Sequence, residues 1–430
     1  MKVGVAGLWH LGSVTAACLA SAGHEVIAFD ASPDAVARLE AGQPPVSEPG
    51  LQDLMARGVA AGSLCFSSRP EDLAASDITW ITYDTPVDDS GRADVDSVIE
   101  AATSVFPHMR DGSLVLVSSQ LPVGSTLRLE GIYRRVRPDG TATFACSPEN
   151  LRLGSAIDAF TRPARVVVGI RSAADKVRIA DLLGPFTNRI EWMSVESAEM
   201  TKHALNAFLA TSVVFANELA ALCERLGADA REVERGLKSD ARIGPRAYLR
   251  PGGPFAGGTL ARDVEFLIAM GGAQRLPTHL MSAVRESNEA HKQWPLRRLL
   301  EVVGNLAGTR IVILGLTYKP GTDTLRGSSA IETARWLGEQ GASVAAYDPA
   351  VTCLPAGVDA PVDLRSSAQG ALEGADAALI ATEWPEFCSL SADDFVRSMK
   401  RPIVLDPSGF LRAQLDADRR IRYLSVGRAG

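Results

Sequence analysis

No two cysteines in this chain stand at the spacing of a zinc site or a redox couple. The six thiols (Cys18, Cys65, Cys146, Cys223, Cys353 and Cys388) are scattered. That pattern excludes a disulfide scaffold and a zinc ribbon, and it leaves the cysteines as small core residues in a reducing compartment. No stretch reaches the roughly twenty uninterrupted apolar residues of a membrane helix. No charged leader or cleavage site precedes the first strand pattern, so the expectation is a cytoplasmic protein with no membrane partner. Basic charge is scarce as well. With a net charge of −7 the chain is poorly suited to follow a phosphate backbone, and nucleic acid is not an expected partner. No metal is expected either. Low-complexity tracts are absent, and 46% hydrophobic with 22% charged residues is an ordinary globular balance. A chain of 430 residues exceeds what one core serves, so about two or three domains are expected.

What is present is a rhythm of short buried-strand patterns separated by helical ones. Residues 2–6, 26–29, 78–82, 114–118, 143–146, 166–169 and 190–193 read as strands. Such alternation predicts a parallel, doubly wound sheet. From about Ser197 to Leu226 the sequence has no proline or glycine and predicts one long spine helix. The strand rhythm returns at 310–314, 343–347, 377–381 and 403–406. Each half begins strand, glycine turn, helix, strand, aspartate. The fold expected is therefore α/β, with two Rossmann-like doubly wound lobes joined by a central helical domain. The boundaries fall at residues 1–195, 196–300 and 301–430.

Four segments carry candidate chemistry. The first is Gly7-Leu8-Trp9-His10-Leu11-Gly12, a dinucleotide fingerprint with a tryptophan where the second glycine lets the backbone approach a pyrophosphate. Asp30, closing the second strand, suits a ribose 2′-hydroxyl and repels a 2′-phosphate, which favours NAD. The alternative is a Rossmann lobe that binds no cofactor. The second segment is the spine helix, where Glu199, Lys202 and Asn206 share one face. A lysine and an amide there could steady an alkoxide; the bland alternative is a solvated helix edge. The third runs from Arg242 to Thr259, with five glycines and three prolines. Its free backbone N–H groups, with Arg242, Arg246 and Arg250, suit an anion, unless it is only a flexible surface loop. Asp263 follows, at the start of a helix. The fourth, Gly315-Leu316-Thr317-Tyr318-Lys319-Pro320 with Arg326, again sets a cation beside a strand-to-helix turn.

Together with Glu48-Pro49-Gly50-Leu51, Thr85-Pro86, Pro122-Val123-Gly124, Ser147-Pro148-Glu149, Asn217-Glu218-Leu219-Ala220 and Tyr347-Asp348-Pro349, these segments resemble the UDP-glucose/GDP-mannose dehydrogenase family over nearly the whole chain. The resemblance implies NAD on the first lobe, a nucleotide-diphosphate sugar on the last, and a homodimer built on the central helices. It implies a cofactor site of Gly7, Trp9, His10, Leu11, Gly12, Asp30, Thr85, Pro86, Ser119, Gln120 and Arg326. The substrate would meet Glu149, Leu151, Arg152, Lys202, Asn206, Arg242, Tyr248, Phe255, Gly258, Tyr318 and Lys319. Catalytic roles would fall to Lys202, Asn206, Asp263, Glu149 and position 259.

The departures from the family are as informative. Family members oxidise an alcohol twice to an acid, and a cysteine captures the intermediate aldehyde. Thr259 stands at that cysteine's place, Leu153 at a second glutamate's, Gln120 at a threonine's and Ser408 at an arginine's. A hydroxyl is barely ionised at neutral pH and needs a base that the sequence does not offer. The retained set serves a hydride-removing step, and the missing set serves capture and hydrolysis. The expectation is a single hydride transfer to an aldehyde or ketone, or a transient oxidation that returns the hydride as an epimerase does. An ordinary two-step dehydrogenase making a uronic acid, and a non-catalytic sugar-nucleotide binder, remain as alternatives.

Overall fold

The computed structural model describes residues 1–87, 93–149, 151–255, 259–325, 327–355 and 357–429. It divides into two units, Met1–Leu205 and Asn206–Gly430.

In the first unit the apolar runs form β1 (Lys2–Ala6), β2 (Glu25–Phe29), β3 (Leu64–Ser67), β4 (Ile78–Ile81), β5 (Leu114–Val117), β6 (Thr143–Cys146), β7 (Val166–Ile170) and β8 (Ile190–Met193). They make one sheet of order β3-β2-β1-β4-β5-β6-β7-β8. Every pairing is parallel except β6 with β7. Val3, Val5, Trp80, Leu114 and Leu116 from the strands join Val14 and Leu19 of the first helix in one buried cluster. Strands buried on both faces read as continuous apolar runs, which is why the sequence rhythm found them.

The second unit repeats the plan with β9 (Arg310–Leu314), β10 (Ser343–Tyr347), β11 (Val362–Leu364), β12 (Ala377–Ile380), β13 (Ile403–Leu405) and β14 (Arg422–Leu424). Its sheet is wholly parallel, in the order β11-β10-β9-β12-β13-β14. The expected α/β class with two doubly wound sheets and helices between them is what the chain forms. Strand order reverses between β1 and β4, and again between β9 and β12. Such switch points open a crevice at the carboxyl ends of the strands. The same device builds both turns. Gly7 has φ +97° and a Cβ on it would lie 2.7 Å from the nitrogen of Tyr83; Gly315 has φ +92° and would meet the nitrogen of Thr382 at 2.7 Å. Only glycine fits such a backbone.

The spine helix bears on one expectation, and the cysteines correct another. The spine helix, Val195–Leu226, is by length and composition apolar enough to cross a membrane, with a mean hydropathy of 1.5 in its best window. It holds Glu199, Lys202, His203 and Asn206 buried in protein, a polar set that packing against partners explains. The cysteines also divide: Cys18, Cys146 and Cys223 are buried, whereas Cys65, Cys353 and Cys388 are exposed.

Candidate active site

In the first unit the chain leaves β1 through Gly7 and enters the helix His10–Ser21. Gly12 is obligatory, since a Cβ on it would lie 1.8 Å from the carbonyl oxygen of Gly7. Trp9 is the helix N-cap. It makes no side-chain capping bond, and the first turn has no acidic residue, so the helix end keeps its affinity for an anion. Asp30 accepts from the Leu8 nitrogen at 2.9 Å and from the Ser32 nitrogen at 3.0 Å, which fixes its carboxylate beside the turn. The uncapped helix end, the glycine approach and the carboxylate fit NAD. Trp9 itself is half exposed.

The other expected cofactor residues gather at the same strand ends. Thr85 donates to the Gln120 carbonyl at 2.7 Å, tying the loop after β4 to the loop after β5. Ser119 is buried, and among the described residues its hydroxyl has no hydrogen-bond partner. Pro86 is exposed and Leu11 half-buried. His10 is engaged elsewhere: its Nε2 meets Glu48 at 2.9 Å. Glu48 in turn accepts from the nitrogens of Gly154 and Ala156 at 2.8 Å, capping the helix Ala156–Thr161. Arg326 lies outside the described residues.

Lys202 and Glu149 meet in this unit. The lysine Nζ donates to the Glu149 carbonyl at 2.6 Å and stands 3.5 Å from its Oε1. Glu149 also accepts from the Leu151 nitrogen at 2.6 Å. A cavity of about 20 Å³ adjoins them, lined by Ser119, Gln120, Cys146 and Glu199 among others; this is room for about one water. Glu199 turns out to be structural. Its carboxylate accepts from the nitrogens of Gly124 and Thr126, at 2.7 and 2.9 Å, and from the Thr126 hydroxyl at 2.7 Å, so it caps the helix Ser125–Val136. The face is no solvated edge: Lys202 and Glu199 are both buried. Burial, and after it the Glu199 carboxylate, push the Cys146 thiol well above its ordinary pKa. The thiolate of this cysteine, which lines the same cavity as Lys202, is therefore disfavoured. Leu153 is half-buried and Arg152 exposed.

In the second unit Asn206 donates from Nδ2 to Asp263, whose side chain is fully buried. Asp263 sits in the first turn of the helix Leu260–Ala273, and Thr259 is the N-cap of that helix. Thr259 is exposed and makes no side-chain capping bond.

Side chains grip the described part of the glycine-rich loop between Gly252 and Phe255. Asn217 accepts from the Gly252 nitrogen at 3.0 Å and donates to the Gly253 carbonyl at 3.2 Å. Asn288 does the same to both backbone groups of Phe255, at 3.0 and 3.1 Å, and the His291 ring bonds the Gly252 carbonyl at 2.8 Å. The nitrogens of Gly252 and Phe255 are thus taken, so these two amides are not free for an anion. No sequence spacing signals Asn288 or His291, because both act across more than thirty residues. Arg250 donates to the Ser408 carbonyl at 3.1 Å. Arg242 is exposed and paired with Asp240 at 2.8 Å, and Tyr248 is exposed. Gly258 lies outside the described residues.

In the last lobe Asp348 answers Asp30. It accepts from the nitrogens of Leu316 and Thr317 at 2.7 and 3.0 Å, but also from the Trp384 indole at 3.0 Å. The indole thus takes up an acceptor position of the Asp348 carboxylate. Lys319 lies 5.5 Å from the centroid of the Tyr318 ring, and burial raises the Tyr318 hydroxyl above its ordinary pKa. A cavity of about 120 Å³ adjoins the ends of β12 and β13, with Gly253, Pro254, Thr333 and Ser408 in its wall. No group of three or more metal-ligating side chains occurs among the described residues.

Three family models match in chain order. They are the NAD binding domain of the UDP-glucose/GDP-mannose dehydrogenase family over residues 1–187, its central domain over 196–290 and its UDP binding domain over 312–413. The chain is 33% identical to the UDP-glucose 6-dehydrogenase of Rhizobium meliloti (strain 1021), covering 100% of both chains. It is also 33% identical to a UDP-glucose 6-dehydrogenase of Bacillus subtilis (strain 168), covering 99% of this chain and 93% of that one. A solved UDP-glucose dehydrogenase from the hyperthermophilic archaeon Pyrobaculum islandicum superposes with a TM-score of 0.89 at 32% identity, over 100% of this chain and 98% of that one.

Proposed function

The chain belongs to the UDP-glucose/GDP-mannose dehydrogenase family of NAD-dependent nucleotide-sugar dehydrogenases, and from that premise we propose that it moves one hydride on a UDP-sugar-like substrate and stops short of the acid. The product is an aldehyde or ketone, or the hydride returns to the sugar. The observation that carries this reading is Thr259: an exposed hydroxyl that makes no side-chain capping bond, at the position that resembles the place of the family's nucleophile. NAD, when bound, supplies the hydride acceptor. The ammonium of Lys202, oriented by the Glu149 carbonyl, steadies the alkoxide as the hydroxyl loses its proton. Asn206 contributes to the same stabilisation and fixes Asp263, which orients the water that takes the proton. Glu149, Leu151 and Arg152 contact the sugar. Phe255, Gly258, Tyr248, Tyr318 and Lys319 hold the nucleotide, and Arg242 reaches the substrate of a partner copy. Residues 1–195 serve as the cofactor domain, 196–300 as the dimerising helical domain and 301–430 as the nucleotide domain. Six free cysteines suit a reducing cytoplasm.

The test is incubation with NAD and a panel of UDP-sugars, following NADH by absorbance and product by mass spectrometry. One NADH per substrate, or none with an altered sugar, is expected; two NADH with a uronic acid would overturn the reading.

A second reading, the ordinary two-step dehydrogenase, is favoured by the full-length likeness to UDP-glucose 6-dehydrogenases. It requires an unassisted hydroxyl to act as a thiolate, or direct oxidation of the aldehyde hydrate. A non-catalytic binder is the third, and Trp9 is its support. Titration with NADH separates it, since no binding at millimolar cofactor would favour it.

A further inference from the structure

Trp9 has φ −71° and ψ −158°, an extended backbone that any residue adopts. Glycine is therefore not needed there for conformation. What glycine provides at this point of the fingerprint is room for the phosphates, and here that room borders an indole. Trp9 is 50% exposed, while the other five tryptophans are buried or half-buried. Among the described residues its ring meets no other ring and makes no hydrogen bond. Among the described residues, half of this large apolar surface is left open beside an uncapped helix end.

We propose that Trp9 is a cofactor-retaining residue. Its indole packs against the dinucleotide seated on the Gly7–Gly12 turn and slows the departure of that dinucleotide. The inference rests on the reading above and favours its hydride-return branch. In that branch the substrate C–H and O–H bonds break, the hydride reducing NAD to NADH and the proton going to water. Both are given back when the two bonds re-form, so no outside oxidant is consumed. Loss of NADH midway would strand an oxidised sugar, so a residue that holds the cofactor serves this cycle. In a dehydrogenase that must exchange cofactor at every turnover, the same residue is a hindrance. Trp9 and Thr259 are then two parts of one change.

The experiment is the dissociation rate of NADH, read by stopped-flow from the loss of tryptophan-to-NADH energy transfer and of nicotinamide fluorescence. It is run on the full chain and on Trp9→Gly and Trp9→Phe. Trp9→Gly should release NADH about tenfold faster, the scale of uncovering half an indole face, with Trp9→Phe between the two. Equal rates in all three, tighter NADH binding by Trp9→Gly, or no NADH binding by any of them would each overturn the proposal. The hydride-return reading is judged separately, with substrate deuterated at the reacting carbon. Label returned to the sugar without free NADH can occur with Trp9 idle, and slow release at Trp9 can occur in an enzyme that lets an oxidised sugar go.

Discussion

Lys202 donates from Nζ to the backbone carbonyl of Glu149 at 2.6 Å, while the carboxylate of the same glutamate stands 3.5 Å from the ammonium. The carboxylate is fixed in turn by the Leu151 nitrogen. One residue thus aims the lysine through its main chain, so the aim does not depend on a mobile side chain. Of three ammonium donors, one is committed to that carbonyl. Lys202→Met should lower the single-turnover rate of hydride transfer by about 10²–10³-fold, with substrate affinity, read by calorimetry, changed far less. Lys202→Arg should not restore the rate, because a planar fork cannot replace a compact ammonium in the same space. A Lys202→Met rate within threefold of the parent would remove the lysine from the chemistry.

Thr259 and Asp263 lie one turn apart at the start of the helix Leu260–Ala273. A thiol at position 259 would lie near a helix N-terminus, where a thiolate is favoured. Thr259→Cys should therefore create acid formation where the parent has little, read as a second NADH per substrate. Restoring the carboxylate as well, in Thr259→Cys with Leu153→Glu, should raise it further. If the parent already performs both oxidations, neither variant will change the stoichiometry.

The buried apolar strands and the glycine turns were legible in the sequence because their patterns are local. So were the helical positions of Lys202 and Asn206 on the spine and of Asp263 at the start of a later helix. The strands Leu64–Ser67, Val362–Leu364 and Arg422–Leu424 escaped because they lie at sheet edges, where exposed and half-exposed positions break the apolar run. The role of Glu199 was not legible for a different reason. Its partners, Gly124 and Thr126, are more than seventy residues away, and shared helical phase with Lys202 does not signal a cap. Asn217, Asn288 and His291 look like ordinary polar helix residues until the loop they grip is folded against them.

That cap makes a stability prediction. Glu199→Ala would leave the nitrogens of Gly124 and Thr126 without an acceptor inside the protein, which should cost about 1–3 kcal/mol. Glu199→Gln keeps one acceptor oxygen and should lose less. Urea unfolding of the first unit, followed by Trp80 and Trp192 fluorescence, measures both. An unchanged midpoint for Glu199→Ala would mean that water replaces the cap.

His291 gives a pH dependence. Burial holds its pKa below the ordinary imidazole value, partly opposed by its bond to the Gly252 carbonyl. Since the folded state disfavours the imidazolium, the unfolded chain binds the extra proton first and stability falls as pH falls. The contribution of His291 is fully present above the ordinary histidine pKa and is lost as pH drops through the lowered one. The glycine-rich loop should loosen with it, weakening sugar-nucleotide affinity in mild acid. In His291→Asn that part of the pH dependence should vanish. An identical affinity profile in parent and variant would assign the effect to another group.

Phe208, Phe215 and Leu222 are 69%, 47% and 57% exposed on the spine helix. They fall seven residues apart, so they form one stripe along the helix. Large exposed side chains in such a row mark an interaction surface, and the isologous contact of a homodimer is the occupant we expect. Phe215→Glu sets a charge in the middle of the stripe and, across a two-fold axis, opposes it with its own copy. Light scattering should find the parent as a dimer and Phe215→Glu as a monomer at micromolar concentration, with the same circular dichroism spectrum. A variant that stays dimeric would move the interface off this helix face.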